Sequence, residues 1–362
     1  MHKALHYLGW PLLAGLLAAL LVIQQFPEWV GLPASFRLPG RAVTLAQPGG
    51  SYAGAVSLAA PAVVNLYTLR GDTGASPSRQ QRINSSLGSA VIMSPEGYLL
   101  TNYHVTANAE QIVVALRDGR ETRARLVGSD PETDLAVLKI SLPDLPAIPA
   151  GHSEQAQVGD VTLAIGNPFG LGQTVTMGII SATGRNQLGL NTYEDFIQTD
   201  AAINRGNSGG ALVDVQGRLI GINAAIISES GGSQGIGLAI PVRLAMEVME
   251  AIIRQGQVIR GWLGVEVQPL PREQARTAGL QSPAGIMVTG MAEHGPAAEA
   301  GLQTGDIILA INGTAATDGR TSMNQVARTR PGDLASLQIL RAGQPLTLRA
   351  RVGQRPLPPM QE

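Results

Sequence analysis

Short apolar segments separated by turn residues run through the first two thirds of the chain and restrict its fold more than any other feature. Glycine (44 residues) and proline (23 residues) are abundant, whereas aromatic residues make up only 4% of the chain. This spacing favours β-barrels or a β-sandwich over a helical bundle. The predicted strands are Ala62–Tyr67, Ser89–Met93, Tyr98–Thr101, Gln111–Ala115, Leu135–Ile140, Val161–Ile165, Gln173–Met177, Ala211–Asp214 and Leu219–Ile222.

Helical periodicity interrupts this pattern in two places. It predicts a short helix over Tyr52–Leu58 and a longer one over Pro241–Ile253, which Gly256 should end. Strands and short helices then resume, as expected for a second domain, and the last residues are rich in proline. The predicted organisation is a β domain over residues 51–256, a second domain over 257–352 and a disordered tail over 353–362.

The N-terminus contains an uncharged run, Leu8–Ile23, after the single lysine Lys3. With its flanks the run approaches the roughly 20 residues that cross a bilayer. No A-x-A cleavage site follows it, and Trp29 is placed to anchor at the membrane interface. We predict an uncleaved anchor, and a cleaved signal peptide is the alternative. The predicted segments are a cytoplasmic N-terminus over 1–7, a transmembrane helix over 8–26 and a linker over 27–50, with the remainder facing the periplasm.

The charge and cysteine content exclude several classes of protein. The formal net charge of -1 gives no reason to expect a nucleic-acid partner. The absence of cysteine excludes thiol catalysis, disulfides and cysteine-ligated metals. We therefore expect no cofactor and no metal.

The stretch Arg205–Leu212, RGNSGGAL, surrounds Ser208 with glycine. It fits the nucleophile elbow of an α/β-hydrolase, a chymotrypsin-type nucleophile loop or a plain turn between strands. An elbow leads into a helix and is followed by its acid and histidine. Here a predicted strand hairpin follows Ser208, and the only later histidine is His294 in the second domain. The elbow interpretation therefore fails.

The chymotrypsin order is histidine, aspartate, serine. His104 lies at the end of a predicted strand, and Asp134 lies immediately before another. Each alone has an ordinary explanation, since His104 would suit a loop and Asp134, like nearby Asp130, would suit a solvated turn. Together, in this order and in an all-β segment, His104, Asp134 and Ser208 indicate a serine-protease triad.

Five motifs are similar to those of the HtrA (Deg) serine proteases, and a single anchor with one C-terminal domain points to the DegS/AlgW-like subgroup. The resemblance implies a mainly β protein, with a chymotrypsin-like double β-barrel, a C-terminal PDZ domain and an N-terminal transmembrane helix. The motifs are Thr101–Val105, Thr133–Lys139, Ala164–Phe169, Gly178–Gly184 and Gln198–Leu212.

The resemblance assigns His104 as general base, Asp134 as its orienting partner and Ser208 as nucleophile. Backbone N–H groups of Gly206 and Ser208 are expected to form the oxyanion hole. The pocket floor lacks the aspartate of trypsin-like enzymes, so we expect cleavage after small aliphatic residues. The predicted substrate-binding residues are Ala202, Ile203, Asn207, Ala224 and Ile226.

Regulation is expected through the second domain, where a Gly-flanked loop would hold a peptide's terminal carboxylate. Arg185, Phe169 and Gln198 match the family's signal-transmitting positions, although an arginine in a polar loop is ordinarily just solvated. For the two helix residues in the peptide-binding set, Met323 and Val326, the alternative is simple domain core. The full predicted set is Arg260, Gly261, Trp262, Leu263, Gly264, Val265, Met323 and Val326.

The resemblance also implies a biological setting in the bacterial inner membrane, with both domains in the periplasm. The expected substrate is a membrane-bound anti-sigma factor, and the expected activators are C-terminal peptides of misfolded outer-membrane proteins. A homotrimer is expected, with residues 51–67 contributing to its assembly. The rival hypothesis is a catalytically silent chaperone or scaffold that only binds peptide termini, against which the complete triad argues.

Overall fold

The computed structural model describes Gly15 and residues 50–70, 84–167, 172–226, 232–277, 280 and 285–356. The predicted anchor and linker, apart from Gly15 and Gly50, lie outside these residues, as does Phe169. Within the described residues, no helix has the length and apolar character needed to span a membrane.

Two closed β-barrels of six strands each form the first domain, which confirms the predicted double barrel. A short helix α1 (Ala53–Ala59) and a 3-10 turn (Ala60–Ala62) precede the first barrel. Its strands pair in the order β1-β2-β3-β6-β5-β4. They are β1 (Val63–Arg70), β2 (Asn84–Ile92), β3 (Tyr98–Thr101), β4 (Gln111–Ala115), β5 (Glu121–Asp130) and β6 (Leu135–Lys139), and helix α2 (Tyr103–Thr106) follows β3.

The second barrel pairs its strands in the order β10-β11-β12-β9-β8-β7. Helix α3 (Val242–Gln255) then packs its buried Val248 and Ile252 into the main hydrophobic core of the domain, and the helix ends at Gly256 as predicted. A 3-10 turn (Ser153–Gln155) precedes the barrel. The strands are β7 (Val161–Gly166), β8 (Thr174–Arg185), β9 (Phe196–Thr199), β10 (Ala211–Val213), β11 (Leu219–Ile226) and β12 (Gly237–Pro241).

A separate core centred on Leu337 and Val288 defines the C-terminal domain. Its main sheet has the order β14-β15-β16-β18-β19, with β17 paired to β16 and β13 to β20. The strands are β13 (Gly261–Trp262), β14 (Val265–Pro269), β15 (Ile286–Met291), β16 (Ile307–Ile311), β17 (Thr314–Ala315), β18 (Leu334–Arg341), β19 (Gln344–Arg351) and β20 (Gly353–Gln354). The helices are α4 (Arg272–Thr277), α5 (Pro296–Glu299) and α6 (Gly319–Arg328).

The boundary predicted for the disordered tail needs correction. Residues Gly353–Gln354 form β20 and pair with Gly261–Trp262, so the domain extends past Val352. Arg355 is also fixed, because its N–H donates to the Arg260 carbonyl. The prolines that suggested disorder, beginning with Pro356, come after this pairing in the sequence.

Candidate active site

The three side chains of the predicted triad are carried by elements of both barrels. His104 is on helix α2, which begins where β3 of the first barrel ends, and Asp134 immediately precedes β6 of the same barrel. Ser208 is in the loop before β10 of the second barrel. The first barrel therefore supplies the imidazole and the carboxylate, and the second supplies the hydroxyl.

Asp134 and His104 share two hydrogen bonds. The His104 backbone N–H donates to Asp134 Oδ1 at 2.9 Å, and His104 Nδ1 lies 2.7 Å from Asp134 Oδ2. An ionised carboxylate only accepts hydrogen bonds, so Nδ1 carries the hydrogen and Nε2 keeps its lone pair. The imidazole is thus in the tautomer that a general base requires.

The backbone at Asp134 is unusual for a residue with a side chain. Its φ is +59°, in the left-handed region that most non-glycine residues avoid. The Asp134 carbonyl accepts the Tyr103 N–H at 3.1 Å and Asn102 Nδ2 at 3.0 Å. These contacts stabilise the strained conformation and aim the carboxylate at His104.

The nucleophile loop is tied to the first barrel through Ser89. The Ser89 N–H donates to the Ser208 carbonyl at 2.9 Å, and Ser89 Oγ donates to the Gly206 carbonyl at 2.7 Å. No acceptor among the described residues is within hydrogen-bond distance of the Gly206 and Ser208 amides. An oxyanion hole requires N–H groups without an acceptor of their own, and these two amides meet that requirement within the described residues.

The Ser208 hydroxyl itself points elsewhere in this structure. It donates to the Ala224 carbonyl at 3.2 Å, and no hydrogen bond to His104 occurs within the described part of the chain. Transfer of its proton to His104 requires rotation about the Ser208 Cα–Cβ bond. Hydrogen bonds of this kind commonly form only when substrate is bound.

The predicted pocket residues lie behind Ser208, in apolar surroundings. Ile203 and Ala224 are buried, and Ile203 packs into the core of the second barrel beside Gly237. The Ala202 carbonyl accepts Thr176 Oγ1 at 2.8 Å, and Asn207 is also buried. The side chain of Ile226, at the end of β11, lies outside the described residues.

Of the predicted regulatory residues, Arg185 and Gln198 are in contact. Arg185 Nε donates to Gln198 Oε1 at 2.9 Å, across the pairing of β8 with β9. Both positions therefore belong to one structural unit of the second barrel.

A cavity of about 400 Å³ in the C-terminal domain contains most of the predicted peptide-binding residues. Gly264, with φ +71°, lies against the Trp262 ring, where any larger side chain would collide. The Leu263 and Gly264 amides have no acceptor among the residues that the structure describes. The predicted residues that line this cavity are Gly261, Trp262, Leu263, Gly264, Val265, Met323 and Val326.

Arg260 does not line this cavity, unlike the other predicted peptide-binding residues. Its guanidinium is buried and pairs with Asp130 (Nη1 to Oδ1, 2.9 Å) and with Glu132 (3.2 Å) in the first barrel. Burial opposes the charge, but the hydrogen bonds and charge of Asp130 outweigh it and raise the Arg260 pKa. The Arg260 guanidinium of the C-terminal domain therefore pairs with buried Asp130 of the first barrel, because an unpaired buried charge is costly.

Sequence reasoning missed most of the interdomain contacts. Arg320 Nη1 donates to the carbonyls of Asn191 (3.1 Å) and Thr192 (2.8 Å), and Asn324 Nδ2 donates to the Glu194 carbonyl at 2.9 Å. All three acceptors are backbone groups, which leave no signal in the amino-acid sequence.

The close packing around the nucleophile predicts a strong effect of Gly209→Ala. Gly209 has φ +82°, and an added Cβ would overlap the Ser89 carbonyl oxygen and the Thr101 hydroxyl. We expect the free energy of unfolding to fall by about 2–5 kcal/mol in urea titrations. The matched control is Gly232→Ala, where an added Cβ meets nothing within 4 Å. Equal stability of the two variants would contradict the structure of this loop.

Comparison with known proteins agrees with this geometry. Residues 88–222 match the trypsin-like peptidase domain family, and residues 261–352 match the PDZ domain family. Serine endoprotease DegS of Escherichia coli K12 is 46% identical over 310 residues, covering 84% of this chain and 86% of the relative.

The other relatives differ in how much of their length this chain covers. A DegP-like probable periplasmic serine endoprotease of Pseudomonas fulva is 46% identical over 277 residues; the match covers 76% of this chain but only 58% of that relative. The solved HtrA-type protease AlgW with tripeptide is 67% identical with a TM-score of 0.79, covering 86% of this chain and all of that one. The chain therefore belongs to the HtrA-type serine endoproteases, in the DegS- and AlgW-like group that has one PDZ domain.

Proposed function

We propose that the chain is a PDZ-regulated endopeptidase that uses Ser208 as nucleophile, His104 as general base and Asp134 as its orienting partner. The observation that carries the proposal is the His104–Asp134 pair, with Nδ1 and Oδ2 2.7 Å apart. The loop around Ser208, which has two amides without acceptors among the described residues, is bound to the same barrel through Ser89. Acyl transfer needs a base, a nucleophile and an oxyanion site in one cleft.

The proposed reaction follows from these positions. Ser208 Oγ rotates from the Ala224 carbonyl and attacks the scissile carbonyl, while its proton passes to His104 Nε2. The carbonyl oxygen becomes an oxyanion that the Gly206 and Ser208 amides stabilise, which typically is worth about 3 kcal/mol per donor. His104 then protonates the leaving amine. In the second half of the reaction His104 takes a proton from a water molecule that attacks the acyl carbon, and returns it to Ser208 Oγ as the ester bond breaks.

The proposed preference is for cleavage after small aliphatic residues such as valine or alanine. The apolar surroundings of Ile203 and Ala224, and the position of Ala202 six residues before Ser208, support this preference. An acidic group that would bind lysine or arginine is not among these residues.

The proposed cellular role is cleavage of a membrane-bound anti-sigma factor in response to envelope stress, as the family resemblance implies. The enzyme would be anchored in the bacterial inner membrane by residues 8–26 and face the periplasm. The uncharged run at the N-terminus supports the anchor, and the name of the Pseudomonas fulva relative, a periplasmic serine endoprotease, supports the compartment.

We also propose a homotrimer to which residues 51–67 contribute. Helix α1 leaves Leu58 half exposed, and Met177 and Val158 are exposed as well (61% and 66%). Large apolar side chains at the surface of a protease domain gain stability when a neighbouring subunit covers them.

Activation by peptide C-termini is proposed because the PDZ cavity has an apolar floor and free amides at Leu263 and Gly264. Relatives of AlgW type have been solved with a tripeptide and with a decapeptide. A peptide with a free carboxylate and an apolar last residue is expected to raise the cleavage rate by about 5–150-fold, the usual range of coupling between sites. The rate is measured on a chromogenic peptide with valine before the scissile bond.

The matched control is the same peptide with an amidated C-terminus, which cannot accept the loop N–H groups as a carboxylate does and should leave the rate unchanged. Arg185→Ala should bind the peptide with nearly wild-type affinity and respond weakly, because the contact with Gln198 is lost. Activation by both peptides alike would contradict carboxylate recognition. Full activation of the Arg185 variant would remove Arg185 from the proposed signal.

A further inference from the structure

A buried carboxylate organises the loop between β8 and β9. Glu194 is only 1% exposed, and its carboxylate accepts three backbone N–H groups. The donors are Leu188 to Oε2 (2.7 Å), Leu190 to Oε1 (2.6 Å) and Asn191 to Oε1 (3.1 Å). Glu194 thus has three charge-assisted hydrogen bonds, which offset the cost of removing its charge from water.

The loop backbone is shaped around this anion. Gln187 and Gly189 have positive φ values of 63° and 75°, so neighbouring amides turn inward toward the carboxylate. Concave arrangements of successive N–H groups bind anions, and here the anion belongs to the chain itself. The side chains of Gln187 and Leu190 are exposed, and Leu188 packs against the main core, so the loop is held by this one apolar contact together with the carboxylate.

The same segment contacts the piece of chain that ends in Asp134. Asn191 Nδ2 donates to the Thr133 carbonyl at 3.2 Å, and the Tyr193 N–H donates to the Glu132 carbonyl at 3.0 Å. The residue that follows Thr133 is the aspartate bonded to His104. A change in the loop therefore reaches the candidate triad through two hydrogen bonds.

The PDZ domain holds the opposite side of this segment. Arg320 binds the carbonyls of Asn191 and Thr192, and Asn324 binds the carbonyl of Glu194. Both donors belong to helix α6, whose Met323 and Val326 line the peptide cavity. Glu194 lies between the two sets of contacts, because its carbonyl meets α6 and its carboxylate meets the loop amides.

We propose that Glu194 is a positioning residue, whose carboxylate fixes the conformation of residues 186–191. In this conformation the segment connects helix α6 to residues Asp130–Asp134 and supports them. The inference rests on the proposed function, since it assigns Glu194 to the control of turnover at Ser208. The loop reaches Asp134 and not the predicted substrate pocket, so loss of the carboxylate lowers kcat and leaves KM and peptide affinity within about twofold.

The test compares Glu194→Ala and Glu194→Gln in the full chain. Hydrogen exchange at the individual amides is followed by NMR or mass spectrometry, beside kcat, KM and binding of a labelled C-terminal peptide. In Glu194→Ala we expect all three amides to exchange at least tenfold faster and kcat to fall at least tenfold. In Glu194→Gln the remaining oxygen still accepts Leu190 and Asn191, so only Leu188 should exchange faster and kcat should fall less.

Glu154→Gln is the matched control, because the only side-chain hydrogen-bond partner of this exposed carboxylate in the described part of the chain is His152, at 3.2 Å. This variant should leave kcat and the hydrogen exchange of the Leu188, Leu190 and Asn191 amides unchanged. Wild-type exchange at Leu188, Leu190 and Asn191 in Glu194→Ala would overturn the proposal, as would a loss confined to KM. If the wild-type protein itself fails to cleave, the proposed function is wrong, and the exchange rates alone then decide whether Glu194 holds the loop.

Discussion

Ser208→Ala is expected to abolish peptide cleavage and fluorophosphonate labelling while the chain remains folded. Both reactions need the Ser208 oxygen, since it forms the bond to the carbonyl carbon or to phosphorus. Removal of such a nucleophile costs on the order of 10⁶ in kcat. The fold should tolerate the change, because within the described structure the hydroxyl makes one hydrogen bond, to the Ala224 carbonyl at 3.2 Å, worth about 1 kcal/mol.

Two histidine variants complete this experiment. His104→Ala removes the proposed base and should lose activity comparably. His152→Ala should be nearly silent, because His152 is exposed and its only side-chain partner among the described residues is Glu154. Cleavage rates, gel labelling and urea titrations separate loss of chemistry from loss of fold. Full proteolysis by Ser208→Ala would eliminate the proposed enzyme mechanism.

The division of the chemistry between two barrels makes their alignment part of the mechanism. Ser89 connects them, since its Oγ accepts the Asn167 N–H at 3.0 Å and donates to the Gly206 carbonyl. The Ser208 hydroxyl and the His104 imidazole can therefore come together only if strand β2 and the nucleophile loop keep their relative position. A three-residue polar contact at the barrel junction thus bears on catalysis without touching substrate.

Several apolar strands were predictable from sequence, whereas the apolar strand β12 and the largely polar strand β5 were missed. The predicted segments Ala62–Tyr67 and Val161–Ile165 closely match β1 and β7, because their buried faces produce apolar runs. Strand β5 (Glu121–Asp130) was missed, since its exposed positions include Glu121, Arg123 and Arg125. A strand on a barrel wall that faces solvent gives a mixed pattern, which reads as a loop.

The candidate triad was predictable from residue order and motifs, but its hydrogen bonding was not. Sequence offered Asp130 and Asp134 as neighbouring acids, and only the fold separates them. Asp134 meets His104, whereas Asp130 is 4% exposed and pairs with Arg260 from the PDZ domain. The partner of Asp130 is 130 residues away along the chain, beyond the reach of any local pattern.

Glu194 illustrates the same limit. In sequence it is one acid in a polar loop, a context that ordinarily indicates solvation. Its burial follows from the hydrogen bonds to three amides, and those depend on the backbone turns at Gln187 and Gly189. Backbone conformation in a long connection is set by tertiary contacts, so the carboxylate's role emerges only from the folded chain.

Asp134→Asn is expected to reduce kcat by about 10⁴ while the fold persists, by analogy with the same change in other triads. The Asp134 carboxylate accepts both the His104 N–H and Nδ1–H. An amide with its oxygen toward the backbone N–H places NH₂ against Nδ1, so the imidazole hydrogen moves to Nε2. Nitrogen Nε2 then has no lone pair with which to take the Ser208 proton.

The two readouts for this variant are independent of each other. Steady-state cleavage gives kcat, and ¹⁵N NMR of the His104 ring reports which nitrogen carries the hydrogen. The matched control is Asp118→Asn, an exposed aspartate whose one partner among the described residues is Arg120, and this change should leave both readouts unchanged. A kcat within tenfold of wild type, with the hydrogen still on Nδ1, would show that the carboxylate does not set the tautomer. A large loss of kcat with the hydrogen on Nε2 would show that the Asp134 carboxylate sets the tautomer of His104. The left-handed backbone at Asp134 would then contribute to catalysis, because in that conformation both carboxylate oxygens accept hydrogen bonds from His104.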